Sequence, residues 1–204
     1  MVQEHMYKSS NPIVSFAVNS RVNAILSQVN KGESVLEAGC CEGYIAIPVA
    51  RRVGKGGKVA CIDIEQEYLD FAKKKSELEG LDNLIFQKAD VSSFKSPEKF
   101  DKIICSEVLE HVDDPLKVMR NLVESLRDGG KLIITVPNEF VLQIGRKIAF
   151  GSKAESLEEV TAHKSELKAS DVVELGLKLG LTKDSVSQVP FPLIYLNEVI
   201  VLRK

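Results

Sequence analysis

The chain has 204 residues, 44% of them hydrophobic and 27% charged, the balance of a globular domain long enough to bury a real core. A formal net charge of −2 gives no general attraction to nucleic acid or to an anionic membrane surface. No apolar run approaches a membrane span, and the start, "MVQEHMYKSSNPIVSFAVNS", lacks a basic stretch, apolar core and cleavage site, so a cytoplasmic location is expected.

In chain order, Asn11-Pro12 reads as a helix cap and first-turn proline. Val14, Val18, Val22, Ile25 and Val29 then recur at steps of three or four, the spacing of one buried helix face. Strand "SVLEA" (34–38) leads into a helix from about Tyr44 to Val53. Strand "KVACID" (58–63) leads into a helix from about Glu65 to Glu79. Strands "LIFQKA" (84–89) and "KFDKIICS" (99–106) follow. Asp114-Pro115 opens a helix whose buried stripe is Leu116, Met119, Leu122, Val123 and Leu126, and Gly129-Gly130 is expected to stop it. Strand "KLIITV" (131–136), an irregular insertion at 139–165, and a helix from Ser170 to Leu179 come next. "DSVSQV" and "LNEVIVLR" close the chain as a strand pair.

No repeat, low-complexity tract or linker divides this pattern, so residues 1–204 are expected to form one domain. Alternating strands and helices imply a doubly wound parallel sheet, and the final pair, with no helix between its members, implies one antiparallel strand. In such sheets ligands sit beyond the carboxyl ends of the strands. Cys40, Cys41, Cys61 and Cys105 show no Cys-x-x-Cys spacing and read as reduced thiols, with a zinc site the alternative.

The unusual residues gather at those strand ends. Gly39 follows the first strand and Gly43 precedes the next helix, so backbone amides are open to a ligand where a side chain would block its approach. Asp63, 20 residues beyond Gly43, ends the second strand, where a carboxylate can accept from both ribose hydroxyls. Asp90, after the third strand, suits the exocyclic amine of a base. The three together describe a nucleoside-shaped ligand. A nicotinamide cofactor would want G-x-G-x-x-G around a pyrophosphate. Here Glu37 and Glu42 flank the turn, which disfavours that anion and favours a cation. S-adenosylmethionine, with its sulfonium and ammonium, fits the charge.

On these residues the sequence resembles the class I S-adenosylmethionine-dependent methyltransferases, closely over about 33–137 and loosely elsewhere. The resemblance implies a Rossmann-like seven-stranded sheet of order 3-2-1-4-5-7-6 with strand 7 antiparallel. By that pattern "EAGCCEG", with Glu37, Gly39, Cys40 and Gly43, is the cofactor loop and Asp63 the ribose ligand. Ile64 would pack on the adenine, Asp90 and Val91 would lie at its edge, and Ser106 would meet the methionine end. Cys41 departs from the pattern, since relatives often carry glycine there. The N-P-P-Y type motif of amide and base-amine methyltransferases is replaced by "CSEV".

In "CSEVLEHVDDP" (105–115), Glu107, Glu110 and His111 stand at i, i+3 and i+4, one face of a helical turn if the segment is helical. Two carboxylates and an imidazole on one point need a proton or a cation between them. Mg²⁺, Mn²⁺ or Fe²⁺ would suit that set better than a structural zinc. The E-x-x-E-H spacing, with "TAHKSEL" downstream, resembles the small-RNA 3′-terminal 2′-O-methyltransferases and, less fully, the ubiquinone-pathway O-methyltransferases. The resemblance implies Glu107, Glu110, His111 and His163 as metal ligands that would hold and acidify the acceptor hydroxyl. In the wider family Glu-His here also serves as helix cap or pocket lining. Without metal, His111 or His163 becomes the candidate general base.

The expected activity is transfer of a methyl group from S-adenosylmethionine to a small-molecule hydroxyl. Residues 1–30, with Tyr7, and the 139–165 insertion are expected to form a lid. A non-catalytic cofactor-binding subunit, an RNA 2′-O-methyltransferase and a nicotinamide oxidoreductase are the rivals. The acceptor and the oligomeric state stay open.

Overall fold

A computed structural model describes residues 12–138, 141, 167–191 and 195–204. The elements run α1 (Pro12–Leu26), β1 (Ser34–Ala38), α2 (Ala46–Val53), β2 (Lys58–Asp63), α3 (Gln66–Leu78) and β3 (Leu84–Lys88). Then follow β4 (Phe100–Ser106), a 3₁₀ turn (Leu109–His111), α4 (Pro115–Glu124), β5 (Leu126–Pro137), α5 (Ala169–Lys178), β6 (Thr182–Pro190) and β7 (Tyr195–Arg203).

The seven strands form one sheet in the order β3-β2-β1-β4-β5-β7-β6. β1 pairs in parallel with β2 and β4, whereas β7 runs antiparallel to both β5 and β6. The expected topology is therefore the observed one.

Alternation along the strands explains why both faces are covered. Val35, Ile104, Ile133, Val199 and Val201 pack on one face with Ile25 of α1, with Val29 just after that helix, and with Val49 and Val53 of α2. Leu36, Ile103, Leu132, Ile134 and Ile200 turn the other way, onto Met119 and Leu122 of α4 and Val172 of α5. Successive side chains of a strand point to opposite faces, so continuous apolar runs such as "KLIITV" serve two cores at once.

The larger departures from the sequence reading lie at α2, α4 and the start of β5. Helix α2 begins at Ala46 rather than Tyr44, because Gly43 and the residues around it form a turn, with the Gly43 amide donating to the Cys40 carbonyl at 2.9 Å. Helix α4 stops at Glu124, so Leu126 opens β5 instead of completing the helical stripe. Gly129-Gly130 lie inside that strand. The ladder pairs Phe100 with Leu126 and Lys102 with Lys131, so four residues bulge opposite Asp101. The Asp114-Pro115 start holds: Asp114 Oδ1 accepts from the Lys117 amide at 2.9 Å.

The expected lid falls mostly outside the described residues, as do Tyr7 and His163. Among the described residues no helix is long and apolar enough to cross a membrane. The four cysteines form no disulfide.

Candidate active site

The strand ends converge along one edge. Ala38 is level with Ile62 and Cys105, Asp63 with Lys88, Ser106 with Thr135, and Pro137 with Asn197. Gly39, Asp63, Asp90 and Ser106 thus sit at the tips of four adjacent strands.

The loop after β1 is tied to the tip of β2. The amides of Gly39 and Cys40 both donate to the Ile62 carbonyl, at 2.8 and 3.1 Å. The Cys41 amide donates to Asp63 Oδ2 at 2.8 Å and the Glu65 amide to Oδ1 at 3.0 Å. Asp63 therefore shapes the loop as well as facing the edge, and each oxygen retains a second lone pair for a ligand hydroxyl. Beside it, Ile64 is 55% exposed, an apolar side chain left in water where the resemblance places an adenine. Asp90 is exposed, its Oδ1 held by the Ser92 amide at 2.7 Å, and Val91 is half-buried next to it.

The conformation of this loop has a cause that the residue pattern did not reveal. Gly39 adopts φ +78°, and a Cβ there would lie 2.5 Å from Val108 Cγ2. What first excludes a side chain at position 39 is the loop after β4, not a ligand. Cys41 adopts φ +45°, a left-handed conformation that glycine takes without penalty and other residues resist. The glycine-to-cysteine departure therefore keeps the loop path at a cost in backbone strain.

Glu37, on β1, is 2% exposed, and its carboxyl accepts from the Ala46 amide at the head of α2. Burial and the neighbouring Asp63 carboxylate push it well above the usual carboxylate range, against the smaller opposing effects of that amide and of Arg21.

The carboxylate–histidine segment is arranged differently from the expected single helical face. Glu107 has φ +55° and Val108 φ −125°, so the chain leaves the helical path before the 3₁₀ turn begins. The i, i+3, i+4 rule does not carry across that break. Glu110 is buried at 1% exposure, whereas His111 is exposed. Glu107 is engaged from three other elements. Its Oε1 accepts from the Thr135 hydroxyl at 2.8 Å, and its Oε2 from Asn197 Nδ2 at 3.0 Å, with Arg21 Nη1 at 3.2 Å. The Ser106 hydroxyl, 2.9 Å from Thr135 Oγ1, extends the chain to the tip of β4.

Arg21, Thr135 and Asn197 are the residues missed from sequence. They lie on α1, β5 and β7, and only the folded sheet brings them to β4. The signal available in the sequence was the arginine at position 21, three residues after Val18 and four before Ile25 on the apolar face of the helix.

Among the described residues no group of three or more His, Cys, Asp or Glu could hold a metal ion. Glu107, with a guanidinium and two neutral donors on its carboxylate, does not fit a divalent-cation ligand, because Arg21 already supplies the positive charge. His163, the fourth expected ligand, lies outside the described residues.

A family model described as "Methyltransferase domain" matches residues 29–188. The chain belongs to the methyltransferase domain family. Among curated relatives it is 33% identical over 120 residues to a ubiquinone biosynthesis O-methyltransferase of Coxiella burnetii, a match covering 58% of this chain and 50% of that one. The chain thus spans about half the length of the curated relatives it matches. The crystal structure of an S-adenosylmethionine-dependent methyltransferase from Aquifex aeolicus superposes with a TM-score of 0.72 at 19% identity over 98% of each chain. The magnesium protoporphyrin IX methyltransferase of Synechocystis, solved with bound S-adenosylhomocysteine, gives 0.72 at 18% identity over 99% of this chain and 93% of its own. These two likenesses establish the shared fold.

Proposed function

We propose that this methyltransferase-family protein transfers the methyl group of S-adenosylmethionine to a hydroxyl of a small-molecule acceptor. The observation that carries the reading is the edge itself. A glycine loop bonded to the Asp63 carboxylate, the exposed Ile64 and the exposed Asp90 stand on neighbouring strand tips, which is the shape and polarity of a nucleoside site. The match to a ubiquinone biosynthesis O-methyltransferase supports oxygen as the acceptor atom.

Asp63 would accept the ribose hydroxyls, Ile64 would cover one adenine face, and Asp90 and Val91 would bound its edge. Gly39, Cys40 and Gly43 would follow the amino-acid portion of the donor, with Glu37 behind them and Ser106 at the methionine end. S-adenosylmethionine, once bound, supplies a methyl group on a positively charged sulfur, open to in-line displacement. The chain's part is then to orient the acceptor and exclude water. His111, exposed on the turn after β4, is the base assigned to take the acceptor proton. Glu107 is assigned the position of that turn rather than a proton or a metal.

Incubation with methyl-labelled S-adenosylmethionine and a panel of phenols and catechols tests the reading. Label appearing in an extractable methyl ether is expected, and a histidine-dependent pH profile that is lost in His111→Ala. Tight S-adenosylhomocysteine binding with no donor consumed by any acceptor would favour the non-catalytic subunit.

A further inference from the structure

Among the described residues, the buried carboxyl of Glu37 has no cation bonded to it, since the nearby Arg21 is paired with Glu107. Glu37 Oε2 has no hydrogen-bond partner among the described residues, although the side chain is 2% exposed. Among the described residues, the elements packed around it offer repulsion, neutral groups, one backbone amide, and a single cation that is already paired with Glu107. From β2 come the Asp63 carboxylate and the Cys61 thiol, and from the loop comes the Cys40 thiol. Both thiols are pushed up, Cys61 chiefly by burial and Cys40 by its hydrogen bond to Cys61 and by burial, so they remain protonated and neutral. From β4 the paired residue is the apolar Ile104. From α2 comes one amide, and from α1 comes Arg21, whose guanidinium is paired with Glu107. An ionised carboxylate there is desolvated beside another carboxylate, and such a group holds a proton until a cation arrives.

We propose that Glu37 carries a proton while the strand tips are empty and gives it up to solvent when a cationic ligand binds there, so that uptake of the methyl donor releases a proton. The inference rests on the function proposed above and adds a charge-selection step to it. The donor carries a fixed sulfonium charge that its demethylated product lacks. Ionised Glu37 therefore favours donor over product, and protonated Glu37 removes that preference. Below the pH at which Glu37 titrates in the free protein, donor affinity should rise about tenfold per pH unit, the slope of one released proton.

The test is calorimetric titration of S-adenosylmethionine into the full chain at several pH values between 5 and 8. Each titration is run in pairs of buffers that differ in ionisation enthalpy. The expected result is an observed enthalpy that depends on the buffer, with a smaller dependence for S-adenosylhomocysteine. The dependence should vanish in Glu37→Gln and persist in His111→Asn, which removes the exposed imidazole on the turn after β4. A second readout needs no ligand: the infrared band of a protonated carboxyl should be present in the free protein and missing from Glu37→Gln. Binding with buffer-independent heat at every pH, or a buffer dependence retained in Glu37→Gln, overturns the inference and leaves the binding reading standing. Absence of heat with either ligand overturns the reading itself.

Discussion

Arg21 Nη1 lies 3.2 Å from Glu107 Oε2, joining α1 to the residue immediately beyond the tip of β4. Arg21 is 6% exposed, and Glu107 shares its remaining capacity with Thr135 and Asn197. Removing the cation leaves a largely desolvated carboxylate held by neutral donors. Breaking a fully buried pair costs about 3–5 kcal/mol. Because the Glu107 side chain keeps 25% exposure, Arg21→Met is expected to cost about 2 kcal/mol after discounting for solvent. Adding Glu107→Gln to Arg21→Met should cost less than the sum of the two single changes. Urea denaturation of the four proteins measures that coupling, and strict additivity would show that the pair contributes nothing of its own.

Gly39 and Val108 form a second such relationship, between the loop after β1 and the loop after β4. Gly39→Ala meets two penalties, the left-handed φ of +78° and the 2.5 Å approach to Val108 Cγ2. The first costs about 1–2 kcal/mol and the second about 1–3 kcal/mol. Val108→Ala should remove the steric part alone. Thermal melts of Gly39→Ala, Val108→Ala and the double variant are therefore expected to show partial rescue, with the backbone penalty remaining.

Cys41 offers the opposite sign. Its φ of +45° favours glycine, although glycine also loses more entropy on folding. Cys41→Gly is expected to lie between neutral and about 1 kcal/mol more stable. Cys41→Val, β-branched and resistant to positive φ, should be destabilised by about 1–2 kcal/mol. A shift in the same direction for both variants in chemical denaturation would mean that the backbone is not what strains this position.

These two loops mark the boundary of what the amino-acid order makes legible. Topology was readable, because apolar runs such as those at 34–38 and 131–136 and the helix stripes between them have distinct periods. The place of Asp63 at the tip of β2 was readable too, since a carboxylate ending a strand 20 residues after a glycine turn is a local pattern. The arrangement at Glu107 was not. Helical spacing holds only while φ stays helical, and nothing in "CSEVLEH" announces that Glu107 is left-handed. Its partners Arg21, Thr135 and Asn197 are far apart in sequence and meet only because β5 and β7 flank β4 on one side of the sheet. The role of Gly39 was half legible: the need for glycine could be read, but its first obstacle, Val108, is 69 residues away.

At the opposite end of β5 and β7, Lys131 and Arg203 hold Asp184 at 2.7 and 3.1 Å. Those bonds, Lys131 first, keep its carboxyl below the usual carboxylate range. A carboxyl lowered in the folded state contributes stability above its unfolded titration point and loses it as pH falls through the folded value. Asp184→Asn should therefore be less stable than the parent at pH 6, by under about 1 kcal/mol for so exposed a pair. The two melting curves should converge once the pH drops below the lowered value. A gap that persists into strong acid would contradict the electrostatic cause.

The central claim is that a methylated sulfur nucleoside lies across the strand tips, with Asp63 as its ribose acceptor. Isothermal titration of S-adenosylhomocysteine into the parent and into Asp63→Ala tests it most directly, with circular dichroism confirming that both are folded. Saturable one-site binding to the parent, weakened at least about tenfold in the variant (about 1.4 kcal/mol or more for charge-assisted hydrogen bonds), is the predicted result. No binding to the folded parent, or equal binding to both proteins, would contradict the account.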